Sequence, residues 1–403
     1  MKICTAADAQ PGLAQLLGRS PEEQKTLGYF HTLGEILQQP SRWLDTCALM
    51  IEKTSDLAEV MDGIRSLVLT GSGSSQHAGE CIRLVLQKEL KTTVQVIGGG
   101  TLLTQGSAAL PCGRPGLVVS LARSGDSPES TAGLAALLQT EPDIRHLVLT
   151  CNPKGSLAEA GQNDARVEVI VLDDRTNDRS LVMTSSFTNL ALAARFLGLR
   201  DNSAAYRNIC AQQSRICDAL FRTSFDALTR QTTRWCDRAV FLGSGPRWGA
   251  ACESALKMLE MTAGRVGTMS ETYLGLRHGP MSYIRKGTLV VCFLSSEPVA
   301  RAYEADLISE LDRKQLGFAK VIIGDGIPPE LVGEDDLAVE LPGLASIGDE
   351  NAAILDVVAG QLLAFGRCLE EGIQPDSPSN AGIIHRVVEN FTVYPLSDTA
   401  RRA

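Results

Sequence analysis

One internal near-repeat constrains this chain more than any other feature. Ser66-Leu67-Val68-Leu69-Thr70 runs into Gly71-Ser72-Gly73-Ser74-Ser75-Gln76-His77-Ala78. Much later, Ala239-Val240-Phe241-Leu242 runs into Gly243-Ser244-Gly245-Pro246-Arg247-Trp248-Gly249-Ala250. Each copy reads as a buried parallel strand, a small-residue turn and a helix. A second element recurs at nearly the same offset. Gly116 to Ser120 precedes Leu121-Ala122-Arg123-Ser124-Gly125-Asp126, and Gly287 to Val291 precedes Cys292-Phe293-Leu294-Ser295-Ser296. Two related βαβ halves, each with a parallel sheet flanked by helices, are therefore expected.

Further short β-branched runs fit that α/β scheme: Thr92 to Ile97, His146 to Thr150, Val167 to Leu172 and Lys320 to Ile323. Helices are predicted over Ser41 to Asp62, Gln76 to Leu90, Ser127 to Thr140, Met183 to Leu197 and Pro298 to Leu311, with a polar one over Asn202 to Asp226 joining the halves. The expected division is an N-terminal helical arm over 1–40, a first domain over 41–215, a second over 216–385 and a tail over 386–403. At 44% hydrophobic, the chain is ordinary for a globular protein, which excludes disorder for its bulk. A net charge of -9 argues against nucleic acid or an anionic membrane as partner, although a local basic site is compatible with an acidic average. The first 25 residues lack a basic stretch followed by an apolar run, and no window of about 18 uninterrupted apolar residues occurs. Eleven cysteines without a CxxC pair read as reduced thiols, and five scattered histidines speak against a metal cluster. A cytoplasmic protein with no metal and no cofactor is the expectation.

Three constellations can carry chemistry. The Gly71-Ser72-Gly73-Ser74-Ser75 turn opens a helix, so its backbone N–H groups and the Ser74 and Ser75 hydroxyls can face an anion. It lacks the Lys of a P-loop and the third Gly of a dinucleotide fingerprint. The turn Arg123-Ser124-Gly125-Asp126-Ser127-Pro128 also follows an apolar strand, with Ser127 at a helix N-cap and Pro128 at the first helical position. The plainer reading of Ser127 is a cap alone. Two hydroxyl-rich turns on neighbouring strand ends can converge on one phosphate. In the second half, Pro246, Arg247 and Trp248 replace the small polar residues, so one half binds phosphate and the other does something else. Glu253, Lys257 and Glu260 share one helical face by their spacings of four and three. A solvent-facing ion-pair ladder is the ordinary reading, but their helix is mostly small or apolar, which points to a lined pocket. Partial burial would raise a carboxylate's pKa there and suit it to proton transfer. His278, between Arg277 and the Gly279-Pro280 turn, is presented on a loop and suited to acid–base work.

Together these motifs resemble the sugar isomerase (SIS) family of phosphosugar-binding domains, in tandem from about Ser41. The Glu253–Lys257–Glu260 helix and the Arg277-His278-Gly279-Pro280 loop are similar to the isomerase half of glutamine–fructose-6-phosphate transaminase. Gly264-Arg265-Val266, Ser270-Glu271, Leu274 to Met281 and the tail Arg386-Val387-Val388 resemble the galactosamine-6-phosphate deaminase branch, also called tagatose-6-phosphate ketose/aldose isomerase. The resemblance implies that Ser74, Ser75, Ser124 and Ser127 hold the sugar phosphate, with Arg123 in the same turn. It implies that Glu260 moves a proton between C1 and C2, that His278 from a neighbouring subunit assists ring opening, and that Lys257 and Glu253 orient hydroxyls or the base. A homodimer or larger assembly with shared sites follows from it.

The chain departs from that pattern in two places. No glutaminase domain precedes the repeat, so transfer of nitrogen from glutamine is not expected. The transaminase uses a Lys near its C-terminus, whereas here no Lys follows Lys320 and the tail offers His385 and Arg386. The favoured expectation is deamination of galactosamine 6-phosphate to tagatose 6-phosphate. Its rivals are deamination of glucosamine 6-phosphate, ketose/aldose isomerisation without ammonia release, and a regulatory phosphosugar-binding module.

Overall fold

The computed structural model describes residues 9–160, 164–231, 236–379, 382–387 and 391–394; Cys4 and Val388 lie outside the described residues. The chain divides into two compact units, one of 42–178, 185–208 and 382–403, the other of 1–41, 179–184 and 209–381. The N-terminal segment forms α1 (Pro11–Leu17), α2 (Pro21–Leu27) and α3 (Phe30–Glu52). Pro40 sits inside α3, although proline removes an N–H and usually ends a helix, so the helix begins well before the expected start at Ser41. Here the Gln39 side-chain amide donates to the Ile36 carbonyl at 3.0 Å, which supplies the donor that Pro40 lacks. The segment expected to end at Asp62 is in fact two helices, α3 and α4 (Thr54–Met61).

The first sheet follows, with β1 (Ser66–Gly71), α5 (Ser74–Leu90), β2 (Thr93–Gly98), α6 (Gly99–Gln105), β3 (Gly116–Ala122), α7 (Pro128–Thr140), β4 (Ile144–Thr150), α8 (Ser156–Ala160), β5 (Val167–Val171), α9 (Ser185–Leu199) and α10 (Ser203–Thr223). Its strands run parallel in the order β2-β1-β3-β4-β5. All residues of β1 and β3 are buried, as a parallel sheet covered by helices on both faces requires, and this is why those strands read as continuous apolar runs. The second sheet comes from α11 (Phe225–Gln231), β6 (Arg238–Leu242), α12 (Pro246–Met261), β7 (Gly267–Glu271), α13 (Tyr273–Leu276), β8 (Thr288–Phe293), α14 (Pro298–Arg313), β9 (Ala319–Gly324), β10 (Leu337–Glu340), α15 (Leu344–Ile347) and α16 (Asp349–Glu370). Its order, β10-β9-β8-β6-β7, is the order of the first sheet when each is counted from its own first strand. In this doubly wound arrangement, ligands bind at the carboxyl ends of the strands where the order reverses. Those ends are β1 and β3 in one sheet and β6 and β8 in the other.

The N-terminal arm belongs to the unit of the second sheet. Asp226 on α11 accepts from Gly12 N at 2.8 Å and Leu13 N at 3.1 Å, and so receives the first turn of α1. In the same unit α16 is the buried core helix. Among the described residues it is the one helix long and apolar enough to cross a membrane, and 94% of its apolar window is enclosed by the fold.

Helix α12 packs along α16 through a close approach at Gly360. A Cβ built there would stand 2.1 Å from Ser254 Oγ and 2.5 Å from Ser254 Cβ. Only a glycine leaves room for α12 at that distance. Gly360→Ala is therefore expected to lower stability by about 1–3 kcal/mol through overpacking, despite the better helix propensity of alanine. Thermal unfolding of the variant checks this, and a raised midpoint would contradict the close packing.

Candidate active site

At the carboxyl end of β1 the chain turns through Gly73, whose φ of 55° and ψ of -123° place it in a region that favours glycine. The turn delivers Ser74 and Ser75, both buried, to the first turn of α5. On the neighbouring strand end, Gly125 has a φ of 72° and redirects the chain after β3. This second turn is braced from behind. Asn152 Nδ2 donates to the Ser124 carbonyl at 2.8 Å, and the Asp126 carboxylate accepts from Ser156 N at 2.9 Å and Ser156 Oγ at 3.1 Å. Asp126 is thus committed to holding the loop against α8.

Ser127 occupies the N-cap of α7, but its side chain makes no cap hydrogen bond. The plainer reading of Ser127, that it only caps its helix, fails on this point. Ser127 immediately precedes a 13-residue helix, whose first backbone N–H groups favour an anion. Arg123 in the same turn is buried and donates from Nη2 to the Arg386 carbonyl at 3.2 Å. Arg386 in turn donates to Asn177 Oδ1 at 2.5 Å, so the tail segment is tied beside the turn, with His385 exposed next to it. Hydroxyls, helix N-termini and one guanidinium are the donor set that a phosphate monoester takes.

The charged ladder lies in the other unit. Glu253 and Lys257 have no side-chain exposure, while Glu260 is 23% exposed. Lys257 Nζ stands 3.3 Å from Glu253 Oε1 and donates to Glu260 Oε2 on the following turn. Cys252 on this helix accepts from Ser270 Oγ of β7 at 3.4 Å. Buried charge of this kind is kept only when paired, and here one cation serves two carboxylates. The solvent-facing ladder is excluded: only the Glu260 end is open. His278 follows α13 on an exposed loop that Gly279, with φ 121°, closes. Arg277 anchors that loop to α14 through Asp306 at 2.7 Å and Glu310 at 2.8 Å. Among the described residues the His278 side chain makes no hydrogen bond or ion pair, so within one chain nothing bonds it to the ladder.

The second-half turn keeps the backbone of the first and loses its opening. Gly245 has φ 55° and ψ -127°, nearly the values at Gly73. The Arg247 guanidinium is fully buried, meets Asp356 with both Nε and Nη2 at 2.7 Å, and donates to the Leu294 carbonyl. Asp349 takes the donors at the end of β8: Ser296 N at 2.8 Å and Ser295 Oγ. Glu304 accepts from Ser295 N at 2.6 Å, and burial pushes its carboxyl up to about 7. The chain's own carboxylates thus fill the place that a bound anion would take. Asp349, Asp356 and Asn152 were not foreseen from the sequence, since none lies near its partner along the chain.

No protein-family model matches the chain. A candidate D-galactosamine-6-phosphate deaminase AgaS of Streptomyces coelicolor is 36% identical over 378 residues, covering 91% of this chain and 96% of that protein. The D-galactosamine-6-phosphate deaminase AgaS of Escherichia coli is 31% identical over 370 residues, covering 90% and 94%. A Clostridium novyi NT protein, crystallised as a candidate tagatose-6-phosphate ketose/aldose isomerase, superposes with a TM-score of 0.86 at 28% identity, over 94% of this chain and 98% of that one.

Ser127→Ala separates the two roles open to that residue. Losing an N-cap bond usually costs about 1 kcal/mol of stability. Because no such bond exists here, the melting temperature should stay unchanged, while inorganic phosphate binding by calorimetry should weaken by about 1–3 kcal/mol. A lowered melting temperature with unchanged phosphate binding would make Ser127 a cap only.

Proposed function

The chain belongs to the D-galactosamine-6-phosphate deaminase AgaS family, and on that premise we propose that it converts galactosamine 6-phosphate and water to tagatose 6-phosphate and ammonia. The observation that carries this reading is the Lys257-centred pair of carboxylates, one enclosed and one partly open, on a helix otherwise built for a core. A module that merely binds phosphosugars has no need of it.

In this reading the serine turns and Arg123 hold the phosphate, which fixes the open-chain sugar by its far end. Glu260 takes the proton from C2 of the aldehyde form and returns a proton to C1. The double bond then lies between C2 and nitrogen, and water adds to C2 as ammonia leaves. Lys257 keeps the Glu260 carboxylate oriented and lends positive charge to the oxygen at C1, while Glu253 balances the lysine from the buried side. His278 assists ring opening from a neighbouring subunit of a homodimer or larger assembly, and Arg386, beside Arg123, closes the phosphate end in place of the transaminase lysine. No disulfide joins any of the ten described cysteines, which suits the reducing cytoplasm we propose as its compartment.

The likeness to the Clostridium novyi NT candidate tagatose-6-phosphate ketose/aldose isomerase favours a second reading, ketose/aldose isomerisation without nitrogen release. Ammonia measured on incubation with galactosamine 6-phosphate, glucosamine 6-phosphate and tagatose 6-phosphate separates the two. Release from the galactosamine ester is expected; interconversion of sugars with no ammonia from either amine would establish the isomerase instead. Glu260→Gln should keep fold and phosphate binding and lose turnover by roughly a hundredfold or more. Mixed with inactive His278→Ala protein, it should regain part of the activity as subunits exchange. A Glu260→Gln variant with near-parental turnover would place the base elsewhere.

A further inference from the structure

One face of the first sheet carries a polar patch within an apolar layer. Val68, Ile97, Leu102, Val118, Leu137 and Ile144 make the layer beneath α6 and α7. Into it project Thr70 of β1 and Ser120 of β3, which are register partners, and His146 of β4, paired with Val118. Thr70 is 6% exposed, Ser120 5% and His146 not at all. Helix α7 adds Glu129 and Ser130 from above. Gly99 at the start of α6 makes room, since a Cβ there would lie 3.0 Å from Ser72 Oγ and 3.2 Å from Ser130 Oγ. These residues enclose a cavity of about 10 Å³, room for one water molecule and no more.

Several of the groups around that cavity are unsatisfied. Among the described residues, Thr70 Oγ1, Glu129 Oε2 and both ring nitrogens of His146 are buried with no hydrogen-bond partner. Each buried polar group left so costs on the order of 1–3 kcal/mol, and native structures rarely tolerate several together. Burial lowers the His146 pKa to about 4, so near neutrality the ring is uncharged and offers one N–H and one lone pair. A hydroxyl, a neutral imidazole and a carboxylate oxygen match the two donors and two lone pairs of one water molecule. A calcium or magnesium ion would need about six oxygen ligands, more than the cavity offers.

We propose that this cavity holds one ordered water molecule bonded by Thr70, His146 and Glu129, and that through it Glu129 is a positioning residue for the phosphate-binding turn. Glu129 is the second residue of α7, and Ser127 is its N-cap. A bond that ties Glu129 to strands β1 and β4 fixes the first turn of α7, whose N–H groups and Ser127 hydroxyl face the anion. The positioning role rests on the reading that this turn takes phosphate; the water itself does not.

A crystal structure of the parent protein at a resolution that shows ordered water tests the site directly. A density peak within hydrogen-bond distance of Thr70 Oγ1, Glu129 Oε2 and one nitrogen of His146 is expected. No peak, or a direct Glu129–His146 bond, would overturn the proposal. Thr70→Val removes one partner at constant shape, and His146→Phe excludes the water. Both should raise the dissociation constant for inorganic phosphate and the KM for the sugar phosphate by about three- to tenfold, with kcat changed less than about twofold. His146→Gln should restore most of the affinity. Should His146→Phe fail to fold, the isosteric Thr70→Val decides. Unchanged phosphate affinity in Thr70→Val, with the water present in the parent, would overturn the positioning role. If the parent binds no phosphate at all, the functional reading fails while the density still decides the water.

Discussion

Lys257 has no exposed surface, and keeping its charge paired governs what α12 is. An ammonium withdrawn from water is tolerated only beside opposite charge, and here both partners come from the same helix, one turn on either side. The pairing is local, so it survives only while α12 stays helical through Glu260. The helix in turn must lie in the core, and the contact with Gly360 on α16 sets how deeply it lies there. A ladder of net charge -1 results, with one carboxylate sealed in and the other at the surface. The open carboxylate can meet a substrate; the sealed one and the lysine hold it in place. Removing the lysine would leave the Glu253 carboxylate buried without its cation.

The two sheets share one topology and nearly one turn geometry, yet their strand ends do different things. At Gly73 and Gly245 the backbone angles agree within a few degrees. After β1 and β3 the turns carry hydroxyls and helix N-termini, and the Asp126 carboxylate beside them is committed to α8. After β6 and β8 the same positions meet Arg247, Asp349, Asp356 and Glu304, a network that satisfies itself. On the proposed reading, a duplicated scaffold has kept one anion site, while the other is filled by its own carboxylates. What the second copy offers in that reading is the open Glu260 end of α12.

Much of this could be read in the sequence because the signals were local. Buried parallel strands appear as apolar runs and others as short β-branched runs, and the eight foreseen from such runs are all present. The two missed strands are sheet edges: β7, Gly-Thr-Met-Ser-Glu, is half-buried throughout, and β10 has four residues of which one is buried. The edges of the first sheet, β2 and β5, still show β-branched runs of Val and Ile, whereas Gly267–Glu271 and Leu337–Glu340 carry too few such residues to show one. Pro40 misled because its compensating donor, the Gln39 side chain, has no signature of its own. The ladder was readable from spacing, as any same-helix triad is. Its asymmetry of burial was not, since that depends on α16, about a hundred residues away. The Asp349 and Asp356 partners and the missing cap bond at Ser127 likewise depend on tertiary packing.

The proposal that Glu260 carries the proton has a direct isotopic consequence. Its carboxylate is 23% exposed, so a proton held there can exchange with solvent before it is returned. Turnover of galactosamine 6-phosphate in deuterium oxide, followed by proton magnetic resonance of the ketose, reads this at C1. Deuterium at C1 of the tagatose 6-phosphate formed is the predicted result. A product whose C1 holds two protons and no deuterium in fully deuterated solvent, the aldehyde's own and the one from C2, would contradict transfer by a solvent-reachable carboxylate.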